Sequence, residues 1–337
     1  MRIVFMGTPE FALPSLNKLI QTHNILCVVT QTDKPKGRGM KLTPPPIKFL
    51  AQQLNIPVVQ PGKIGEISGY LKSLSPDVIV VVAYGEILSE EILKIPRFGC
   101  INLHASLLPE LRGPEPIAWS VILGKEKTGL TTMWMDKGVD TGDIILQKEI
   151  EILPDDTKGS LEQKMSLTGA DFLCETLKMV ESSNAPRKKQ VRCPPMDIGG
   201  IRTPNASIGE GNPIYAPMIK KSDCLIDWSK PAWEIHNLIR GLNPAPSAYT
   251  FLEGKRLKIH RTAVNVGQEC SGAMTPKGRS IRTVEQGEII EIKEDEILVA
   301  TGEGILSLLE IQPEGKRAMS VKDYLQGHSL KERMKFG

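Results

Sequence analysis

The stretch densest in reactive side chains is Ile101-Asn102-Leu103-His104-Ala105-Ser106-Leu107-Leu108-Pro109. If residues 100–103 form a strand, the period-two rule puts Asn102 and His104 on one side of it, at its C-terminal end. In an open α/β sheet that edge is where ligands bind. An amide donor beside a titratable imidazole suits acyl transfer: the amide stabilises a developing oxyanion, and the imidazole takes or gives a proton near neutral pH. A second piece is Met135-Asp136-Lys137-Gly138-Val139-Asp140-Thr141-Gly142-Asp143, where two glycines permit a tight turn between strands and Asp140 can reach and orient an imidazole. No Gly-x-Ser-x-Gly motif occurs, so a covalent acyl-enzyme is not indicated. The residues alone also admit a plainer reading, in which His104 is a structural hydrogen-bonder and the Asp140 turn an ordinary capped turn.

The elements that must carry these residues are legible from pattern. Short apolar strands are expected at 2–6, 25–29, 77–83 and 100–103, with helices at 11–21 and 44–54 between them. Residues 77–83 are nearly all β-branched or apolar, the mark of a strand buried on both faces of a parallel sheet. Strands alternating with helices imply an open α/β sheet. A strand and a long helix near 159–180 follow, then a stretch rich in proline and glycine that reads as a linker. Its start, Arg187-Lys188-Lys189-Gln190-Val191-Arg192, is basic with no acidic residue. Beyond it a helix at 232–240 and short strands at 248–252, 257–261, 288–292, 297–301 and 305–311 suggest a small barrel of the oligonucleotide-binding type. The expected domains are 1–182, a linker 183–213, a barrel 214–315 and a tail 316–337.

Composition narrows the class. The chain has 337 residues, 40% hydrophobic and 24% charged, with a net charge of +3. That is an ordinary globular composition with room for two cores, and no global field marks a nucleic-acid binder. No segment approaches the roughly 18 apolar residues of a membrane span, and no signal peptide is seen, so a cytoplasmic protein is expected. The six cysteines, Cys27, Cys100, Cys174, Cys193, Cys224 and Cys270, show no zinc-type spacing and read as isolated thiols. Gly7-Thr8-Pro9 after the first strand is not a dinucleotide fingerprint. Lys34, Lys36, Arg38 and Lys41 form a local basic loop against Asp33, suited either to solvent or to phosphate.

Asn102-Leu103-His104, then Ser106-Leu107-Leu108-Pro109 and Arg112-Gly113, together with Asp140-Thr141-Gly142-Asp143, resemble the hallmark of folate-dependent formyltransferases. The resemblance implies a Rossmann-like formyltransferase domain followed by a small OB-like β-barrel. It implies a catalytic set of Asn102, His104 and Asp140, and a folate pocket lined by Ser106, Leu107, Leu108 and Pro109. Val82-Ala83-Tyr84-Gly85 resembles another folate segment, adding Val82, Tyr84 and Gly85. The formyl donor it implies is 10-formyltetrahydrofolate, with no metal.

Further stretches resemble the branch of that family whose acceptor is methionine carried by initiator tRNA. They are Met6-Gly7-Thr8-Pro9-Glu10-Phe11-Ala12, Thr30 to Gly39, Ile226-Asp227-Trp228 and Ile239-Arg240-Gly241-Leu242-Asn243-Pro244. The branch implies that Lys34, Lys36, Arg38 and Lys41 contact tRNA, and a monomer is expected. The resemblance spans residues 1 to about 180 and about 214 to 315; residues 193–212 lie outside it. Glu110 stands where a basic residue is usual, Pro114-Glu115 where small residues are usual, Ala245 for a Trp and Ser247 for a Gly. The rival readings are a formyltransferase acting on a sugar nucleotide or on glycinamide ribonucleotide, an inactive tRNA-binding module, and a hydrolase releasing formate.

Overall fold

A computed structural model describes residues 1–36, 39–190, 215–265 and 284–337. Along the chain the elements are β1 (Arg2–Gly7), α1 (Leu13–Leu19), β2 (Asn24–Val29), β3 (Lys34–Lys36), β4 (Lys41–Thr43), α2 (Pro46–Gln53), β5 (Val58–Val59), α3 (Ser68–Leu74), β6 (Val78–Val82), α4 (Glu90–Leu93), β7 (Cys100–His104), α5 (Pro116–Ile122), β8 (Lys127–Trp134), β9 (Ile144–Glu151) and α6 (Lys158–Glu181). After residue 214 come α7 (Ala232–Gly241), β10 (Ala248–Leu252), β11 (Lys255–Asn265), β12 (Ile289–Ile292), β13 (Ile297–Ala300), β14 (Ile305–Pro313), β15 (Met319–Ser320) and α8 (Val321–Gly327).

These elements make two compact units. The first comprises Met1–Pro116, Lys127–Glu151 and Leu161–Met218. Its sheet has the order β5-β2-β1-β6-β7-β8-β9. β5, β2, β1, β6 and β7 run parallel, and β8 and β9 are antiparallel to their neighbours. β6 reads Val-Ile-Val-Val-Val and is buried throughout, as a central parallel strand covered on both faces requires. Val4, Met6, Val29, Ile79 and Val81 share a core with Leu71 of α3 and Ile92 of α4. β8 looks polar, yet it is buried from Thr128 to Trp134. Two of its hydroxyls are paired: Thr131 donates to the Ser106 carbonyl at 2.6 Å, and Thr132 meets Thr176 of α6 at 2.9 Å, whereas the buried Thr128 hydroxyl has no partner among the described residues.

The second unit comprises Ile219–Gly337 together with Ile117–Glu126 and Ile152–Ser160. Its antiparallel sheet runs β10-β11-β14-β13-β12, with β15 on β14. The barrel expected from sequence thus stands here as an antiparallel sheet; among the described residues no pairing joins β10 to β12. The inserted segments are integral to the unit. Ile122 packs against its core. The Arg240 guanidinium donates to the carbonyls of Leu153, Pro154 and Asp156 at 3.0–3.3 Å. Residues 316–337, set apart by the sequence as a tail, also belong here: Val321, Tyr324 and Phe336 are buried in the core, and Phe336 stacks on Trp228 with ring centroids 5.5 Å apart. Apolar side chains spaced along α8 and at the chain end give them a reason to fold back.

Candidate active site

β7 places Asn102 opposite Val81 and Met133, and His104 opposite Thr131, so the two project from one face at the C-terminal end of the strand. Asp140 reaches them from the β8–β9 turn. Its Oδ1 lies 3.6 Å from His104 Nδ1 and 3.5 Å from Asn102 Nδ2, and its Oδ2 accepts from the Gly113 N–H at 2.9 Å. Asp140 holds a left-handed backbone, φ +51°, which aspartate tolerates better than most residues. The turn closes tightly because Gly142 has no side chain: a Cβ there would lie 1.7 Å from the Trp134 carbonyl oxygen.

His104 is 6% exposed and the Asp140 carboxylate 14%. Nε2 of His104 lies 3.0 Å from the Leu111 carbonyl. A carbonyl only accepts, so Nε2 carries a hydrogen and Nδ1 is the edge turned to the carboxylate. Asn102 and Asp140 are half-buried, whereas His104 is buried. Amide, imidazole and carboxylate therefore converge on one oxygen, an arrangement able to stabilise negative charge and to hold a proton.

The residues expected to line a folate pocket occupy the loops after β6 and β7. Val82, Tyr84, Ser106 and Leu108 are buried, whereas Gly85 is exposed and Leu107 and Pro109 are partly so. The buried ones shape the main chain. The Tyr84 carbonyl accepts from Thr8 Oγ1 and Gln31 Nε2, and Ser106 Oγ donates to the Glu110 carbonyl at 2.6 Å. Thr131 and Gln147 fasten both backbone groups of Leu108. Glu110 is exposed, and Glu115 donates its N–H to the Ala216 carbonyl.

Of the basic loop, Lys34 and Lys41 lie on the β3–β4 hairpin with exposed side chains, and Lys36 closes β3. Arg38 lies outside the described residues, as do Val191, Arg192 and residues 193–212. Among the described residues no cluster of three His, Cys, Asp or Glu is placed to hold a metal, and no helix is long and apolar enough to cross a membrane.

Three groups at the site went unread in the sequence. The Leu111 carbonyl and the Gly113 N–H are main-chain partners, hinted at only by the Arg112-Gly113 pair. The third is Gln190, whose side-chain nitrogen donates to the carbonyls of Asp140 and Gly142 at 3.0 and 2.7 Å. Its only sign was a neutral amide inside a basic run.

Residues 1–177 match the family described as formyl transferase, and residues 218–329 match the formyl transferase C-terminal domain. The methionyl-tRNA formyltransferase of Pelotomaculum thermopropionicum is 45% identical over 340 aligned positions, covering 100% of this chain and 99% of that one. That of Clostridioides difficile is 46% identical and covers both chains completely. Among solved structures, WlaRD, a sugar 3N-formyl transferase in the presence of dTDP and 5-N-formyl-THF, superposes with a TM-score of 0.61 at 18% identity, over 94% of this chain and 99% of its own. HypX of Aquifex aeolicus in complex with tetrahydrofolic acid gives 0.61 at 12% identity, over 99% of this chain and 50% of that one. Those two likenesses concern the fold alone. Whole-length identity near 45% to two named enzymes, over both matched domains, decides the matter: this chain belongs to the methionyl-tRNA formyltransferase family.

Proposed function

We propose that this chain transfers the formyl group of 10-formyltetrahydrofolate to the amino group of methionyl initiator tRNA, with Asn102, His104 and Asp140 as the catalytic set. The observation that carries the roles is the convergence of the Asn102 amide and the His104 ring on Asp140 Oδ1 at the ligand-binding edge of the sheet. The surroundings suit a folate: the loops after neighbouring strands β6 and β7 bring exposed Gly85 and partly exposed Leu107 and Pro109 to that edge, where main-chain groups can meet a pterin's donors and acceptors.

When bound, the folate supplies a formyl carbonyl activated by its nitrogen leaving group. Asn102 donates to the charge developing on the formyl oxygen. Asp140 holds the imidazole and the amide in register, and the His104–Asp140 pair takes the proton that leaves the attacking amine and returns it to the folate nitrogen as the formyl C–N bond breaks. Lys34, Lys36, Arg38 and Lys41 contact tRNA phosphates, and residues 214–315 hold the tRNA. The enzyme works as a cytoplasmic monomer. The test supplies labelled formyl-folate with charged initiator tRNA, charged elongator tRNA and an amino-sugar nucleotide. Label on the initiator tRNA is expected; label on the sugar nucleotide instead overturns the acceptor.

A further inference from the structure

Arg112 is 1% exposed. A guanidinium so deep must be matched by acceptors, since an uncompensated buried charge is costly. Gln190 Oε1 accepts from both Nε and Nη2 of Arg112, at 3.2 and 2.6 Å. The other end of the same amide donates to the carbonyls of Asp140 and Gly142. All four hydrogen-bonding positions of the Gln190 amide are thereby used. Two donors must be accepted on one side and two acceptors supplied with hydrogens on the other. Glutamate cannot donate, lysine and arginine cannot accept, and asparagine is one carbon short.

What Gln190 ties together is the site itself. Arg112 sits between Leu111, whose carbonyl accepts from His104, and Gly113, whose N–H donates to Asp140. On the other side are the two carbonyls of the turn that holds Asp140 left-handed. The backbone next to Gln190 is anchored too: Lys188 pairs with Ile144 in both directions, and Arg187 stacks over Trp134 at 4.3 Å. We infer that Gln190 is a positioning residue for formyl transfer. Its amide clamps the Asp140 turn to the Arg112 loop, so the segment entering the linker completes the catalytic geometry. The inference rests on the role of Asp140 proposed above.

The test measures kcat, KM for formyl-folate and for charged tRNA, and thermal melting, for Gln190→Glu, Gln190→Met, Asp140→Asn and the double variant Asp140→Asn/Gln190→Glu. Gln190→Glu keeps a partner for Arg112 but removes both donors to the turn, so it stays folded if the methionine variant does not. Displacing a catalytic group by about 1 Å costs roughly 10²-fold. Gln190→Glu is therefore expected to lose roughly 10- to 100-fold in kcat with both KM values little changed. It should cost almost nothing further in the Asp140→Asn background, because residues that act through one another are not additive. If Asp140→Asn is impaired and Gln190→Glu lowers kcat by the same factor in both backgrounds, or raises only KM, the positioning role is overturned and the site reading stands. Wild-type turnover in Asp140→Asn overturns the site reading, and the positioning role with it.

Discussion

In the proposed catalytic set Asp140 Oδ1 is the point on which the chemistry turns, because two different side chains share it. His104→Ala removes the group proposed to handle the amine proton, and turnover is expected to fall by about 10²–10⁴-fold in a folded protein. Asn102→Ala removes the proposed oxyanion donor, with an expected loss of roughly 3–4 kcal/mol in the transition state. Calorimetry should find folate binding unchanged in that variant, whereas a purely raised folate KM would reassign Asn102 to ground-state binding. Asn102 and His104 were legible because two residues apart on a strand means one face. Asp140 was legible through turn chemistry and the family resemblance. Gln190 was not: its amide serves carbonyls some fifty positions earlier, and no local period connects 140 with 190. Side-chain to main-chain bonds between distant loops leave no pattern for a sequence reading to find.

At the scale of elements, the β8–β9 turn is the tightest constraint. Gly142→Ala would drive its Cβ into the Trp134 carbonyl, which is backbone and cannot swing aside. A destabilisation of about 1–3 kcal/mol or more is expected in thermal or denaturant melts. A lower kcat should accompany it, because the same turn carries Asp140. Unchanged melting would show that the turn relaxes freely. β6 was plain in the sequence because a run of β-branched residues has few other places to go. β8 was implied by the turn but its span was not, because Thr128, Thr131 and Thr132 mimic an exposed strand. The burial of Thr131 and Thr132 is acceptable only through partners on the Ser106 loop and α6, which the sequence does not reveal.

At the scale of the molecule, the units carry separable properties. In the second unit, burial, and next the nearby Arg240 charge, hold the His236 pKa below its ordinary value, with Asp155 opposing them. The folded chain thus favours neutral His236, while the unfolded chain takes up its proton as pH falls past about 6.5. Stability from this group is full above that pH and is lost as pH falls towards the lower folded value. The melting temperature should drop on acidification through that window, and less so in His236→Gln; equal slopes would contradict this. For the basic hairpin, the Lys34→Ala/Lys41→Ala pair should weaken tRNA binding and flatten log K against log salt by about one unit for each phosphate no longer neutralised. Folate affinity should not move.

Segments 117–126 and 152–160 are threaded early in the chain, yet they belong to the unit completed by residues 219–337. A ribosome makes them long before their partners exist, so Ile122 and the carbonyls of Leu153, Pro154 and Asp156 wait for α7 and its Arg240. Heredity faces the same constraint. A crossover near residue 182 that joins the first half of one relative to the second half of another inherits these insertions from the wrong parent. Chimeras that also exchange 117–126 and 152–160 are the ones expected to fold with parental stability.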